Sequence, residues 1–119
     1  MTIFAESLRA FLLPIAPYLD DPSITEIMVN GHQDVWVEQG GRLFRTPAQF
    51  TEQGLMAAAR NLAQYVGRPL TDERPRLDAR LPDGSRVHVV LPPIARCGTT
   101  IAIRKFSSST LSMDQLVQY

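Results

Sequence analysis

The sequence has a single cysteine, Cys97, among 119 residues, which excludes an intrachain disulfide and any structural zinc site built on cysteine pairs. No stretch approaches the roughly 18 consecutive apolar residues of a membrane span. The apolar stretch Phe11–Ala16 contains Pro14 and lacks the basic flank of a signal peptide. A GxxxxGKS or GxxxxGKT loop is also missing, so the chain has no motif that cradles nucleotide phosphates by itself. These absences favour a protein of the reducing cytoplasm.

The charge of the chain is balanced overall but unevenly distributed. Residues 1–67 carry four basic and seven acidic side chains, whereas residues 68–119 carry eight basic and five acidic ones. Arginine accounts for eleven of the twelve basic residues. Because attachment to nucleic acid normally requires a clear basic excess, we expect no direct nucleic-acid binding. A local arginine cluster that binds a small anion or an acidic partner surface remains open.

Hydrophobic periodicity and turn residues predict a helix, three strands, a second helix, three further strands and the start of a third helix. The predicted elements are a helix over Glu6–Leu19 that is kinked or divided by Pro14 and Pro17, strands Ile24–Asn30, Asp34–Glu38 and Arg42–Thr46, a helix over Glu52–Val66 capped by Thr51, strands Arg76–Leu81, Arg86–Leu91 and Thr99–Lys105, and a helix from Met113. This order predicts an α+β domain. Its antiparallel sheet has about six strands in two three-stranded meanders, flanked by helices.

An asparagine or aspartate followed by glycine marks two of the expected turns. Asn30-Gly31 and Asp83-Gly84 match the sequence preference of type I′ hairpins. We therefore expect a positive φ at Gly31 and at Gly84.

Two arginines are the candidate site residues. Strand alternation places Arg86 and His88 on one face and Val87 and Val89 on the other. In the last strand, Arg104 lies on the face opposite Ile101 and Ile103. Arginine offers a planar, permanently charged fork that matches phosphate oxygens, so neighbouring strands carrying Arg86 and Arg104 indicate an anion site. A solvated sheet face fits the same pattern.

Other chemistry has weaker signals. His32 and His88 are far apart and have no partner at ligand spacing, so we expect no metal site. Cys97 follows Arg96, which could lower its pKa and make it a nucleophile, although a lone cysteine is more often inert. A small standalone enzyme using Cys97 or His88 therefore stays as an alternative.

Four segments together resemble the N-terminal domain of the type II and type IV secretion ATPases, the traffic ATPases, and especially the Tad/Flp pilus and conjugative-transfer branch. They are LDDPSITEIMVNG (Leu19–Gly31), VWVEQGGRL (Val35–Leu43), LDARLPDGSRVHVVLPP (Leu77–Pro93) and TTIAIRKF (Thr99–Phe106), in the order the family has them. The resemblance implies that residues 1–106 form this α+β domain. Residues 107–119 would then be a linker and the start of a helix that leads to a RecA-like motor domain.

The resemblance also implies a function. Members form hexameric rings that bind ATP and magnesium in the RecA-like domain and power secretion or pilus assembly. In the family, two arginines at the positions of Arg86 and Arg104 reach the nucleotide's phosphates from the N-terminal domain. The implied partners are the chain's own RecA-like domain, neighbouring subunits and inner-membrane platform proteins, at a cytoplasmic location peripheral to that membrane. The alternative is an interaction module that docks an acidic protein partner without nucleotide.

Overall fold

The computed structural model describes residues 6–81, 84–92 and 98–105, so Cys97, Asp83 and the expected linker 107–119 lie outside the described residues. Its strands are β1 (Ile24–Asn30), β2 (Val35–Gln39), β3 (Arg42–Thr46), β4 (Arg76–Arg80), β5 (Arg86–Val90) and β6 (Thr100–Arg104). They form one six-stranded sheet in the order β3-β2-β1-β6-β5-β4, with antiparallel neighbours throughout. The predicted α+β fold is confirmed, and pairing of β1 with β6 joins the two meanders.

The N-terminal helical segment consists of three short pieces. Helix α1 spans Glu6–Phe11, a 3-10 turn spans Leu13–Ile15, and helix α2 spans Ala16–Asp20. Pro14 and Pro17 are the second residues of the second and third pieces, within the first turn, where a missing N–H leaves no helical hydrogen bond unmade. The helix expected over residues 6–19 is therefore broken twice, once before each proline.

Helix α3 spans Glu52–Tyr65 and begins at the predicted cap. The Thr51 hydroxyl accepts a hydrogen bond from the Gly54 N–H at 2.9 Å. Gly67 follows the helix with a φ of 74°, as a C-terminal glycine is expected to do. With 14 residues, α3 is too short to span a bilayer, and no other helix within the described ranges is long and apolar enough either.

The helices cover one face of the sheet, and the core lies between them. Strand side chains of the covered face are buried at Ile27, Val29, Val35, Val37, Leu77, Val87, Val89, Ile101 and Ile103. The helices contribute Leu8, Leu19, Leu55, Ala59 and Leu62 to the same cluster, and Leu12 joins it from the residue between α1 and the 3-10 turn. Residues between these strand positions point to the other face, which we call the open face and which is exposed or half-buried. Stability therefore resides on one face, which leaves the other face available for binding.

Strand β1 departs from simple alternation where it begins. Ile24 pairs with Gln39 and Glu26 with Glu38, so β1 holds one extra residue in a β-bulge. The bulge places Ile24 in the buried cluster with Ile27, whereas alternation predicts Ile24 on the face of Glu26. After the bulge, β1 follows the predicted alternation, with Ile27 and Val29 buried and Met28 on the open face.

The tight two-residue hairpin lies between β2 and β3. Gly40 and Gly41 form it with φ values of 61° and 80°, which match a type I′ turn. The prediction of a type I′ turn at Asn30-Gly31 is wrong, because four residues separate β1 from β2. Gly31 nevertheless has the expected positive φ of 87°, and its N–H donates to the Thr99 carbonyl at 3.0 Å. Gly84 also has a positive φ, of 96°.

We expect Gly41→Ala to lower the free energy of unfolding by about 1 kcal/mol, because a Cβ disfavours the left-handed conformation. No atom lies within 4 Å of a Cβ built at Gly41, so the loss isolates backbone strain from steric overlap. Urea unfolding of Gly41→Ala, with Arg42→Ala as the exposed neighbouring control, measures it. Equal stability of the two variants would show that the turn does not require a positive φ.

Candidate anion-binding site on the open face

Two arginines on neighbouring strands face each other on the open face. Arg86 on β5 is the direct cross-strand partner of Arg104 on β6, and both side chains are exposed. The adjacent partners Val87 and Ile103 are buried on the covered face. The predicted placement of both arginines away from the apolar side chains is therefore confirmed. The register further shows that the two guanidinium groups belong to one rung of the sheet.

This rung is a row of charged residues that crosses five strands. Arg80 on β4 is opposite Arg86, Glu26 on β1 is opposite Arg104, and Glu38 on β2 is opposite Glu26. From β2 to β4 the row therefore has two carboxylates followed by three guanidinium groups. We call these five residues the charged row. Sequence reasoning found only Arg86 and Arg104, because the others become neighbours through strand pairing.

The basic half of the charged row has more positive charge than its neighbours balance. Like charges directly opposite each other destabilise an antiparallel pair, yet Arg104, Arg86 and Arg80 are consecutive partners. Within the described ranges, the row contains one ion pair, in which Arg104 Nη2 lies 3.5 Å from Glu26 Oε1. The side chain of Arg104 remains 71% exposed. The arrangement suits an anion that two or more guanidinium groups bind together.

A shallow depression of about 300 Å³ lies at the centre of the row. Charged and polar side chains from four strands line it, namely Glu26, Asp78, Arg86, His88 and Arg104. It is open to solvent and does not enclose a ligand. Such a surface suits a charged group that another domain or subunit presents, because that second body would supply the missing walls.

His88 lies beside the arginines, but nothing described completes an enzyme site around it. It is on the open face two residues from Arg86, and its cross-strand partners are Asp78 and Ala102. Neither partner is a serine, threonine or cysteine that His88 could activate as a general base. Among residues 6–81, 84–92 and 98–105, no group of three or more histidine, cysteine, aspartate or glutamate side chains could hold a metal ion.

A roomier cavity of about 570 Å³ lies away from the arginine pair. The start of α3 and the neighbouring loops line it, with His32, Glu52, Met56, Arg60 and Gly98 among the contributing residues. Its two charged side chains have opposite signs, so it lacks the concentrated positive charge of the row. On chemical grounds, the smaller depression is the better candidate for anion binding.

Lys105 anchors the end of β6 immediately after Arg104. It is 8% exposed, and its ammonium donates to the carbonyl oxygens of Tyr18, Leu19 and Asp21 at 2.8, 3.2 and 2.7 Å. These carbonyls lie at the C-terminal end of α2, where a cation is favourable. Burial lowers the pKa of Lys105, and the nearby carboxylates of Asp21 and Asp20 oppose that shift.

An ion pair between α1 and α2 lies close to the Lys105 contacts. Arg9 on α1 donates to both carboxylate oxygens of Asp20, at 2.7 and 2.9 Å. The hydrogen bonds from Arg9 lower the pKa of the Asp20 carboxyl. Because the folded-state pKa lies below the ordinary value, this contribution to stability is present above that ordinary pKa. It is lost as the pH falls through the lowered value.

We expect Lys105→Met to lower the free energy of unfolding by about 2–4 kcal/mol, because three carbonyls at the end of α2 would lose their donor. Arg104→Met is the control, since Arg104 is the adjacent residue but points to the open face. Chemical denaturation of both variants provides the measurement. A smaller loss for Lys105→Met than for Arg104→Met would contradict the anchoring role.

Comparison with known proteins identifies the family. The model of the family described as "Type II/IV secretion system protein" matches residues 10–119. The chain belongs to that family. This membership agrees with the resemblance carried by the four sequence segments.

Individual relatives agree with the family match. The chain is 33% identical over 117 residues to the "Type IV secretion system protein VirB11" of Brucella suis, covering 96% of this chain and 32% of the relative. It is 31% identical over 109 residues to the "Putative conjugal transfer protein MT3759" of Mycobacterium tuberculosis, covering 86% of this chain and 31% of that protein. The chain thus spans about a third of the length of these relatives.

A solved structure shows the same fold. The crystal structure of the VirB11 ATPase from the Brucella suis type IV secretion system, in complex with sulphate, superimposes with a TM-score of 0.84 at 31% identity. The match covers 96% of this chain and 34% of that one. The six-stranded antiparallel sheet with flanking helices is the fold of the N-terminal domain of that ATPase.

Proposed function

We propose that this chain is the N-terminal domain of a hexameric ATPase that powers type II or type IV secretion or pilus assembly. ATP and magnesium bind to a RecA-like domain of the same protein, which carries the nucleotide-binding loop that these 119 residues lack. Arg86 and Arg104 contact the nucleotide's phosphates from the N-terminal side. Neighbouring subunits and inner-membrane platform proteins are the further partners, at the cytoplasmic side of that membrane.

The observation that carries this proposal is the direct pairing of Arg86 with Arg104 on the open face. Such a pair costs stability in an unliganded sheet, and a phosphate group would offset that cost by binding both guanidinium groups. The solved relative is itself a complex with sulphate, a tetrahedral anion like phosphate.

The position of Arg104 links the proposed site to the rest of the protein. Arg104 is the last residue of β6, and the anchored Lys105 follows it. The chain therefore leaves the described sheet next to the charged row, and the expected linker 107–119 would lead from this point to a domain that follows. An arginine supplied from one domain to a phosphate held by another makes catalysis depend on closure of the two. Loss of the γ-phosphate would then release the contact.

An interaction module is the second candidate function. The basic half of the charged row, Arg104, Arg86 and Arg80, could bind an acidic surface of a partner protein without nucleotide. The open shape of the depression favours neither ligand. The two functions differ in what loss of the arginines changes: phosphate contact predicts a lower kcat, whereas a docking surface predicts an unchanged kcat and weaker binding of the partner.

In the full-length protein we expect Arg86→Ala and Arg104→Ala to lower kcat much more than they weaken nucleotide binding. Guanidinium contacts that tighten as charge develops act on the transition state. By comparison with other phosphoryl-transfer arginines the loss could reach about 10³-fold, and less for each residue if the two share the task. Arg→Lys should restore activity only partly, because an ammonium cannot make the bidentate contact.

Arg42→Ala and Arg60→Ala are matched controls, since both side chains are exposed and lie outside the charged row. They should leave kcat nearly unchanged. Equal steady-state rates for test and control variants would contradict the proposal that Arg86 and Arg104 contact the phosphates. The interaction module would then be supported if only the test variants lost binding to a partner.

The 119-residue chain alone should not hydrolyse ATP, because it has no P-loop lysine to hold the β- and γ-phosphates. Phosphate release from highly purified chain, compared with its Arg86→Ala variant, measures this. ATP turnover by the chain that disappears in the variant would contradict the proposal that a second domain is required for hydrolysis.

A further inference from the structure

Glu26 occupies a distinctive position in the charged row. It lies at the boundary between the acidic and basic halves, as the cross-strand partner of Arg104 on one side and of Glu38 on the other. Its side chain is only 21% exposed, whereas that of Arg104 is 71% exposed. The carboxylate is therefore the more buried member of the ion pair, and the exposed guanidinium has more freedom to move.

The contact between them is weak enough to be exchanged. Arg104 Nη2 and Glu26 Oε1 are 3.5 Å apart, at the outer limit of a hydrogen bond, and solvent reaches the arginine. Exposed ion pairs of this kind contribute little net stability, because water solvates both groups well when they separate. An anion that arrives over the depression can therefore compete with Glu26 for the same guanidinium.

We propose that Glu26 is a resident counter-ion that competes with phosphate for Arg104 and so sets the charge that a ligand must carry. This inference rests on the proposed function and deepens it. A singly charged anion gains no advantage over a carboxylate that is already in place. A diphosphate or triphosphate group carries more charge and also reaches Arg86, which forms no ion pair within the described ranges.

The same competition gives Arg104 two positions. With a polyphosphate bound, its guanidinium turns toward Arg86 and the ligand; without one, it returns to Glu26. The site is then selective for multiply charged anions, and the carboxylate speeds release by replacing the departing ligand. Glu38 lacks this role, because its cross-strand partners are Glu26 and Leu43 and neither is a cation.

The test is a titration of the 119-residue chain with inorganic pyrophosphate, followed by NMR of the arginine Nε–Hε signals. Glu26→Gln should tighten pyrophosphate binding by about three- to tenfold, as removal of one exposed charge contact allows. Glu38→Gln is the matched control, since it removes the same charge one strand away. It should change the affinity by less than about twofold. Glu26→Asp keeps the charge but retracts it, and should fall between wild type and Glu26→Gln.

A double-variant comparison separates competition from a general charge effect. In an Arg104→Ala background, Glu26→Gln should lose its effect on pyrophosphate affinity. Equal tightening by Glu26→Gln and Glu38→Gln, or an undiminished effect without Arg104, would overturn the role of Glu26 and leave the proposed function intact. If Arg86→Ala and Arg104→Ala leave pyrophosphate binding unchanged, the proposed anion site itself fails.

Discussion

The pairing of β1 with β6 makes the two halves of this chain one structure. It brings together Glu26 and Arg104, which are 78 positions apart in sequence. Lys105 fastens the same junction from the covered face, because its buried ammonium holds the end of α2. The charged row exists only through this junction, since the first meander supplies the carboxylates and the second supplies the arginines. Any movement of β6 relative to β1 would change the distance between Arg104 and its counter-ion.

One face of the sheet carries the apolar core, and the other carries the proposed anion site. Ile103 and Lys105 point into the core, while the residue between them, Arg104, points to the open face. A fold that rests on one apolar face tolerates an electrostatically unfavourable cluster on the other. Three consecutive arginine partners are such a cluster. A ligand explains them better than the stability of the isolated domain does.

Periodicity was sufficient to predict the six strands, helix α3 and the faces of Arg86 and Arg104, because the alternation of a strand and the period of a helix are local properties. It could not predict that β1 pairs with β6, since the same alternation of apolar and polar residues is compatible with many strand orders. Arg80 and Glu26 were therefore missed as members of the site. The bulge at Ile24 was missed for the same reason, because it depends on the register with β2. The role of Lys105 could have been predicted from the sequence. Alternation places this lysine on the same strand face as Ile101 and Ile103, and a lysine on a buried face needs hydrogen-bond acceptors for its ammonium.

The central claim is that Arg86 and Arg104 act as one site for a nucleotide's phosphates. The most direct measurement is a structure of the full-length protein with a non-hydrolysable ATP analogue. The account predicts guanidinium nitrogens of both arginines within about 3.2 Å of phosphate oxygens, with Arg104 turned away from Glu26. Both side chains directed to solvent, or to acidic residues of a partner protein while the nucleotide is bound elsewhere, would contradict it.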